Sequence, residues 1–434
     1  MVVLTQAWTL HAQQDTSLAP TIVEPTLAPV VPAGVAPVQI IPVPVGFPPI
    51  VPASFAGEAE SCTGKASDCA CPKCRRAVYG TWGSVSYMHA WTKGRHMPIL
   101  ATTSPAGTSG LIAGVLGNAT TSTVFGGGPV GDERQSAGRI DFGVWLDDQC
   151  GNGVGVRLFG IEGDRTNFVR SSRGLETIAV PFYNIDLGAE DATLASLAPV
   201  GLQTFGDFGG SVNIFTQNDL LMGEIYARLP VHSRRGADLE LIGGYHYVSI
   251  NDGVNISSFT EFLRAGIFPV GTTIDIFDSF SASNEFHGAA LGMTSALHQG
   301  CWSLKGLAKV SIGSMHQEVL VRGQTITDVS GGPMTTIGTG LFAQDSNGAS
   351  SPAFERDEFT YIPEVELTLG YQLTDCVQLT AGYSFIYFPN VVLAGNQIDR
   401  YIDLPPQAVA RPAFVMQDTD FWVQGVNLGL TWEY

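Results

Sequence analysis

The segment Val377-Gln-Leu-Thr-Ala-Gly-Tyr-Ser-Phe-Ile-Tyr387 alternates apolar and polar residues over most of its length. Successive side chains of a β-strand point to opposite faces, so this pattern predicts a strand with one continuous apolar face. That face carries Val377, Leu379, Ala381, Tyr383, Phe385 and Tyr387, and the opposite face carries Gln378, Thr380, Gly382 and Ser384. Such a strand borders either a protein core or a lipid bilayer.

Similar alternation outside this segment predicts ten strands, near residues 82–92, 137–147, 153–163, 218–229, 238–250, 284–297, 301–313, 358–371, 376–388 and 419–434. Four links between them are tight, at 147–152, 230–237, 298–300 and 372–375. The other five begin near Thr92, Glu162, Asn251, Ser314 and Pro389 and run from about 30 to about 55 residues, which is unusual in a compact soluble domain.

Strict alternation of tight turns with long loops is typical of bacterial outer-membrane barrels. The predicted fold class is therefore all-β, a closed antiparallel transmembrane β-barrel of about ten strands with long external loops and short periplasmic turns. Twelve strands is the nearest alternative, and a soluble β-sandwich is the other fold that alternation allows. A barrel also predicts two aromatic girdles, for which the candidates are Trp82, Trp91, Trp302, Tyr361, Tyr371, Tyr387 and Trp432.

Ionisable residues on the polar faces lie at a common height, roughly four to ten residues from the tight-turn end. Five are cations and five are acids: Arg139, Asp141, Arg157, Glu224, Arg228, Glu240, Lys305, Lys309, Glu364 and Glu366. Burying an unpaired charge costs several kcal/mol, so a narrow lumen must match its charges. We expect these ten residues to form a belt that narrows the lumen.

The last strand places apolar residues at alternate positions up to a terminal aromatic: Trp422, Val426, Leu428, Leu430, Trp432 and Tyr434. This pattern resembles the signal that the outer-membrane barrel assembly machinery recognises. A last strand of this kind can pair with the first strand and so remove both sheet edges. The predicted partners are that machinery and outer-membrane lipid, with a coincidental amphipathic strand as the alternative.

The N-terminal region differs from the rest in composition. Residues 1–14 resemble the remnant of a signal peptide, although no Lys or Arg precedes the apolar run. Residues 15–77 form a Pro-rich, Cys-containing leader, which we expect to be periplasmic and mostly disordered. The leader is either a tether or ligand for a periplasmic partner, or a segment without one. The barrel is expected over residues 78–434.

The charge composition excludes one class of function. The chain has 40 acids, 22 bases and a formal net charge of −18, so nucleic acid is not expected as a partner. Many surplus acids fall in predicted external loops: Asp132, Glu133, Glu190, Asp191, Asp278, Glu355, Asp357 and Glu358. Such loops would form an acidic rim that attracts cations, or they would only shield the lumen.

The cysteines lie at one predicted end of the barrel. Cys62, Cys69, Cys71 and Cys74 precede the first strand, whereas Cys150, Cys301 and Cys376 lie in or beside tight turns. If the turns are periplasmic, oxidation there allows the leader to be linked to the barrel. The alternative is a metal site formed by the closely spaced thiolates of Cys69, Cys71 and Cys74, although structural zinc usually needs two separated Cys pairs.

No motif for catalysis, for phosphate binding or for a metalloprotease is present, so no catalytic centre, cofactor or metal site is predicted. His246 is expected to point into the lumen and His287 to lie at the upper rim near Glu285. These residues leave one alternative open, a surface enzyme of the protease or lipid hydrolase type with its site in the external loops.

Several short sequence segments, which occur in order along residues 79–434, resemble the sequences of a known family. They are Ala101–Gly107, Ala113–Gly117, Val124–Gly128, Pro181–Asn184, Gly370–Asp375, Asn396–Arg400, Arg411–Phe414 and Asp418–Trp422. In these residues the chain resembles the putative beta-barrel porin family common in planctomycetes. The resemblance implies a bacterial outer-membrane barrel with a structural or porin-like passive transport role, and it implies no catalytic residue.

Overall fold

The computed structural model describes residues 80–146, 152–197, 207–234, 237–266, 268–343, 353–404 and 412–433. The predicted signal remnant and leader, and Cys62, Cys69, Cys71, Cys74, Cys150 and Tyr434, lie outside these ranges. Among the described residues, no helix is long and apolar enough to cross a membrane.

The described chain forms eighteen strands and one short 3-10 helix. The strands are β1 (Thr81–Thr92), β2 (Arg95–Met97), β3 (Ala101–Thr103), β4 (Ser122–Phe125), β5 (Gly128–Val130), β6 (Arg134–Trp145), β7 (Gly153–Ser172), β8 (Ile178–Asn184), β9 (Ala189–Ser196), β10 (Phe208–Arg234), β11 (Ala237–Phe262), β12 (Thr273–Gln299), β13 (Trp302–Asp328), β14 (Met334–Ile337), β15 (Ala353–Gln372), β16 (Val377–Val392), β17 (Tyr401–Ile402) and β18 (Asp418–Glu433). The 3-10 helix η1 spans Ala394–Gln397.

Ten of these strands close into one antiparallel barrel, in the order β1, β6, β7, β10, β11, β12, β13, β15, β16 and β18. The first and last strands pair along their length, with Tyr87 opposite Leu428, so the sheet has no open margin there. β14 adds one extra strand beside β13. The predicted ten-stranded barrel is confirmed, and the twelve-stranded and sandwich alternatives are wrong.

Several strands are much longer than the sequence pattern indicated. β10, β12 and β13 each have 27 residues, and β11 has 26, so most of the predicted loops after Asn251 and Ser314 are strand. The physical reason is that the apolar residues move from the outer face of the strand in its lower part to the inner face in its upper part. In β11 the lower part exposes Leu241 and Tyr245, whereas the upper part buries Val254 and Ile256 and turns serine and asparagine outward. The apolar outer face, which was the signal for the strand in the sequence, therefore ends about halfway along β11, while the strand itself continues upward.

The tight-turn end of the barrel carries an apolar outer surface. On β15 its exposed side chains run at alternate positions from Phe359 to Tyr371. At about 3.3 Å per residue and a tilt of about 40°, this stretch is roughly 30 Å tall, close to the apolar band of about 25 Å in outer-membrane barrels. Trp302 and Tyr371 pair at its lower edge with ring centroids 4.8 Å apart. Trp82, predicted for a girdle, instead points into the lumen and is 6% exposed.

Above the apolar surface the wall is asymmetric. β7, β10, β11, β12, β13 and β15 continue upward, whereas β1, β6, β16 and β18 end after 12 to 16 residues. The described parts of the segments between β1 and β6, between β7 and β10, and between β16 and β18 pack against the inner face of the tall strands. A small sheet in the order β17, β8, β3 and β4, with β9 beside β8, contributes Ile178 and Phe182 to a core shared with Ile214 and Ile256 of the wall.

Candidate functional site

The lumen is the place where the predicted charged residues meet, and it is filled in successive layers. From the tight-turn end upward these are a polar cavity (the vestibule), the predicted charges (the ion-pair belt), a stack of buried apolar side chains (the apolar layer) and the inward-folded external segments (the loop plug). Each layer is built from side chains on the inner face of barrel strands, joined in the plug by loop residues.

Lys309 is the centre of the ion-pair belt. Its Nζ lies 2.7 Å from Glu224 Oε2 and 2.8 Å from Glu364 Oε2, and all three side chains are at most 2% exposed. Arg139 extends the network, since it bonds Glu364 at 3.2 Å and also pairs with Glu366. Four barrel strands, β6, β10, β13 and β15, are thereby joined across the lumen by charge.

A second group of the belt surrounds Asp141. Arg157 Nε donates to Asp141 Oδ2 at 2.8 Å, while Tyr226 Oη and Trp82 Nε1 donate to Asp141 Oδ1 at 2.6 and 3.2 Å. Tyr226 was not among the predicted lumen residues, although it lies between Glu224 and Arg228 on the same face of β10. Two-residue spacing was the signal that could have found it.

Arg228 forms the outermost pair of the belt. It bonds Glu240 at 2.5 Å, and its guanidinium lies 4.9 and 5.0 Å from the rings of Trp82 and Trp145. Lys305 is the exception among the ten predicted residues, because it has no ion pair and no hydrogen bond within the part of the chain that the structure describes. Its side chain lines the vestibule.

The apolar layer lies directly above the belt and was not predicted. Its buried members come from nearly every barrel strand: Met88, Phe159, Leu220, Met222, Val248, Ile250, Phe286, Met315, Ile362, Ile386, Phe388, Phe421 and Val423. On β16 the inward positions therefore change from Gln378, Thr380 and Ser384 to Ile386 and Phe388. A lumen that is polar at its base is apolar at mid-height.

The loop plug is tied to the wall by buried polar contacts. Arg95, 2% exposed, pairs with Asp164 and Asp252, each at 2.6 Å. Asp252 also accepts the backbone N–H of Ala394 at 2.7 Å. Asn284 bonds both backbone groups of Val392, at 2.8 and 2.9 Å, so the chain after β16 crosses the interior.

Asp278 holds another part of the plug and corrects a prediction. It was assigned to an acidic external rim, yet it is 1% exposed on the inner face of β12. Its carboxylate accepts the backbone N–H groups of Leu341, Phe342 and Ala343 at 3.2, 2.9 and 2.7 Å. Burial raises the pKa of Asp278 to about 6, against these hydrogen bonds, which lower it.

The raised pKa of Asp278 predicts that the plug contact depends on pH. The closed state binds the proton more tightly than an open, solvated state, so its added stability is complete below about pH 4 and is lost as pH rises through about 6. Protection of the Leu341–Ala343 amides against hydrogen exchange, corrected for intrinsic rates, should fall roughly tenfold or more across this window. Asp278→Asn should remove the pH dependence, and an unchanged profile in that variant would contradict the assignment.

The two histidines that were considered for a surface enzyme, His246 and His287, lie on opposite faces of the barrel wall. His246 points into the lumen as expected, with Nδ1 2.7 Å from Ser311 Oγ. His287 lies on the outer face, with Nδ1 2.5 Å from Tyr245 Oη. Within the described ranges no group of three His, Cys, Asp or Glu side chains could hold a metal ion.

The remaining candidates lie at the tight-turn end or on the closing strand. Cys301 is disulfide-bonded, and Cys376 is buried immediately before β16. Along β18, Val426, Leu428 and Leu430 are exposed on the apolar outer surface. Trp432, also outward, covers Gly83 of β1, where an added Cβ would lie 2.3 Å from its ring.

Comparison with known proteins identifies the family. A family model described as putative beta barrel porin-7 matches residues 82–434. The chain belongs to this family. A search of curated proteins found no match.

Solved structures of low identity were also found. The outer membrane protease OmpT from Escherichia coli matches with 9% identity and a TM-score of 0.35, over 82% of this chain and 97% of that chain. A FadL homologue from Pseudomonas aeruginosa matches with 9% identity and a TM-score of 0.22, over 82% and 90% of the two chains.

Proposed function

We propose that this porin-family member is a structural barrel of the bacterial outer membrane whose lumen is closed to ions and solutes. Membership of a porin-like family and the apolar outer surface about 30 Å tall support the location. The tight turns and the leader then face the periplasm, and the tall part of the wall stands outside the cell. The lipid bilayer and, through β18, the barrel assembly machinery are the proposed partners.

The closed lumen rests on one observation: the ion-pair belt, the apolar layer and the loop plug lie in series. The belt alone would leave a wet constriction. The apolar layer above it, with Phe286, Ile362, Ile386, Phe388 and Phe421 at most 1% exposed, adds a stretch of buried apolar side chains, where a charged solute would lose its hydration without gaining a polar partner. Passive transport would require displacement of that layer together with the plug.

Conductance in planar bilayers tests this proposal. We expect the purified full chain, inserted from detergent, to give no stable conductance steps at moderate voltage and neutral pH. Migration of the same sample on a gel before and after heating verifies that the barrel is folded, because a closed barrel runs faster unheated. Reproducible steps from a folded sample would show an open pore and contradict the proposal.

We also propose that the protein has no catalytic role. The surface-enzyme alternative relied on histidine near loop carboxylates. His246 instead contacts Ser311 inside the wall, and His287 contacts Tyr245 on the outer face near the top of the apolar surface. His246 shares a small space of the ion-pair belt with Glu224 and Glu364, but Lys309 engages both carboxylates there, and neither of these two histidines lies in an external loop.

A further inference from the structure

The vestibule is a cavity of about 280 Å³ between the ion-pair belt and the tight-turn end of the barrel. Residues near strand ends, including Asp238, His298 and Glu433, form its mouth. Its walls also present hydroxyl groups, from Ser84, Ser86, Ser295, Thr380 and Thr431. The vestibule is therefore polar, has room for a solute of several heavy atoms, and ends blindly at the belt.

Lys305 lines this cavity, and its ammonium group forms no hydrogen bond with any residue that the structure describes. The other four cations of the belt each have a carboxylate oxygen within 3.5 Å. Two nearby acids, Glu240 and Glu366, are already engaged, and the third, Glu433, forms no ion pair or hydrogen bond with Lys305 among the described residues. Glu240 Oε2 accepts Arg228 and Thr294, the latter at 3.3 Å, and Glu366 accepts Arg139 and Thr368. In the described chain, the Lys305 ammonium thus has no acceptor of its own.

Arg228 is a second cation beside the vestibule, and its charge adds to the positive potential that favours binding of an anion. The charges of Arg228 and Lys305 repel each other across the vestibule wall. Arg228 uses Nε and one terminal nitrogen for Glu240, and no described residue forms a hydrogen bond with its other terminal nitrogen. An oxyanion placed beside both side chains would accept charged hydrogen bonds and relieve their repulsion, whereas Glu433 at the mouth would oppose its entry.

We infer that the vestibule is a binding site for a small oxyanion, the carboxylate or phosphate group of a solute that enters from the tight-turn side. Lys305 is its main ligand, Arg228 the second, and the wall hydroxyls donate to the remaining oxygens. Binding leaves the belt intact and requires no passage through the barrel. The inference therefore goes beyond the proposed function and does not depend on whether the lumen conducts.

Equilibrium dialysis of the full chain in detergent tests the site, with labelled inorganic phosphate and labelled succinate as separate probes. At least one probe should bind saturably with one site per chain. Lys305→Gln should weaken this binding roughly tenfold or more, because a charged hydrogen bond is lost. Glu433→Gln should tighten it. The control Lys93→Gln, a cation at the opposite end that pairs with Asp420, should leave it unchanged.

The two probes distinguish a phosphate site from a carboxylate site, and binding of either supports the inference. Absence of saturable binding by both, or equal binding by Lys305→Gln and the unaltered chain, would overturn it. Lys305→Arg keeps the charge and should keep the binding. If Lys305→Gln does not show the folded gel migration, Lys305→Arg and Glu433→Gln decide the question. The first should bind the probe as the unaltered chain does and the second should bind it more tightly, so weaker binding in Glu433→Gln would refute the site. Conductance of the same samples reports separately on the closed lumen.

Discussion

Lys309→Met is expected to lower the free energy of unfolding by about 3 to 5 kcal/mol, the usual cost of leaving a buried charge without its partner. Lys309 is the cation that bonds both Glu224 and Glu364, at 2.7 and 2.8 Å. Methionine matches its length but supplies no charge. Two carboxylates at most 2% exposed would then rely on Arg157, 3.5 Å from Glu224, and on Arg139, 3.2 Å from Glu364.

Urea titration of the protein folded into lipid vesicles, followed by tryptophan fluorescence and the unheated gel shift, measures this loss. Lys93→Met is the matched control, since Lys93 pairs with Asp420 with both side chains more than a third exposed. Its effect should stay within about 1 kcal/mol. Adding Glu224→Gln and Glu364→Gln to Lys309→Met should recover part of the loss. Equal effects of the Lys309 and Lys93 substitutions would show that the belt is not electrostatically coupled.

The sequence was sufficient for the barrel and for the position of the belt because both depend on a two-residue period. Val426, Leu428 and Leu430 on one side of β18, and Glu364 and Glu366 on the inner side of β15, are each fixed by alternation within one strand. Tight turns then set the common height of the charges. Such local signals need no knowledge of which strands are neighbours.

The upper half of the molecule could not be derived in the same way. There the apolar residues move to the inner face, so a strand such as β11 loses the outward pattern that marked its lower part. The plug also depends on contacts between distant residues, as between Arg95 and Asp252, which are 157 positions apart. The absence of an ion pair at Lys305 among the described residues also depends on contacts between distant residues. Glu240 pairs with Arg228 and Glu366 pairs with Arg139, so neither acid pairs with Lys305.

Leu367→Arg is expected to destabilise the barrel in a bilayer by about 2 to 4 kcal/mol, the cost of a charged side chain at the middle of the lipid-facing surface. Leu367 is 55% exposed and lies between Phe359 and Tyr371, the ends of the apolar surface on β15. It faces away from the belt, because Glu364 and Glu366 lie on the inner side of the same strand. The substitution therefore changes the contact with lipid and leaves the lumen unaltered.

Ser281→Arg provides the control on the same outer wall. Ser281 is exposed on β12 opposite Gly253 and Leu320, above the apolar surface, where an added charge meets water. Urea titration in vesicles of defined thickness should show the loss for Leu367→Arg and a change within about 0.5 kcal/mol for Ser281→Arg. A thinner bilayer should reduce the penalty at Leu367, since arginine then reaches the interface more easily. Equal stability of the two variants would mean that hydrocarbon does not surround the lower wall, and the outer-membrane location would have to be abandoned.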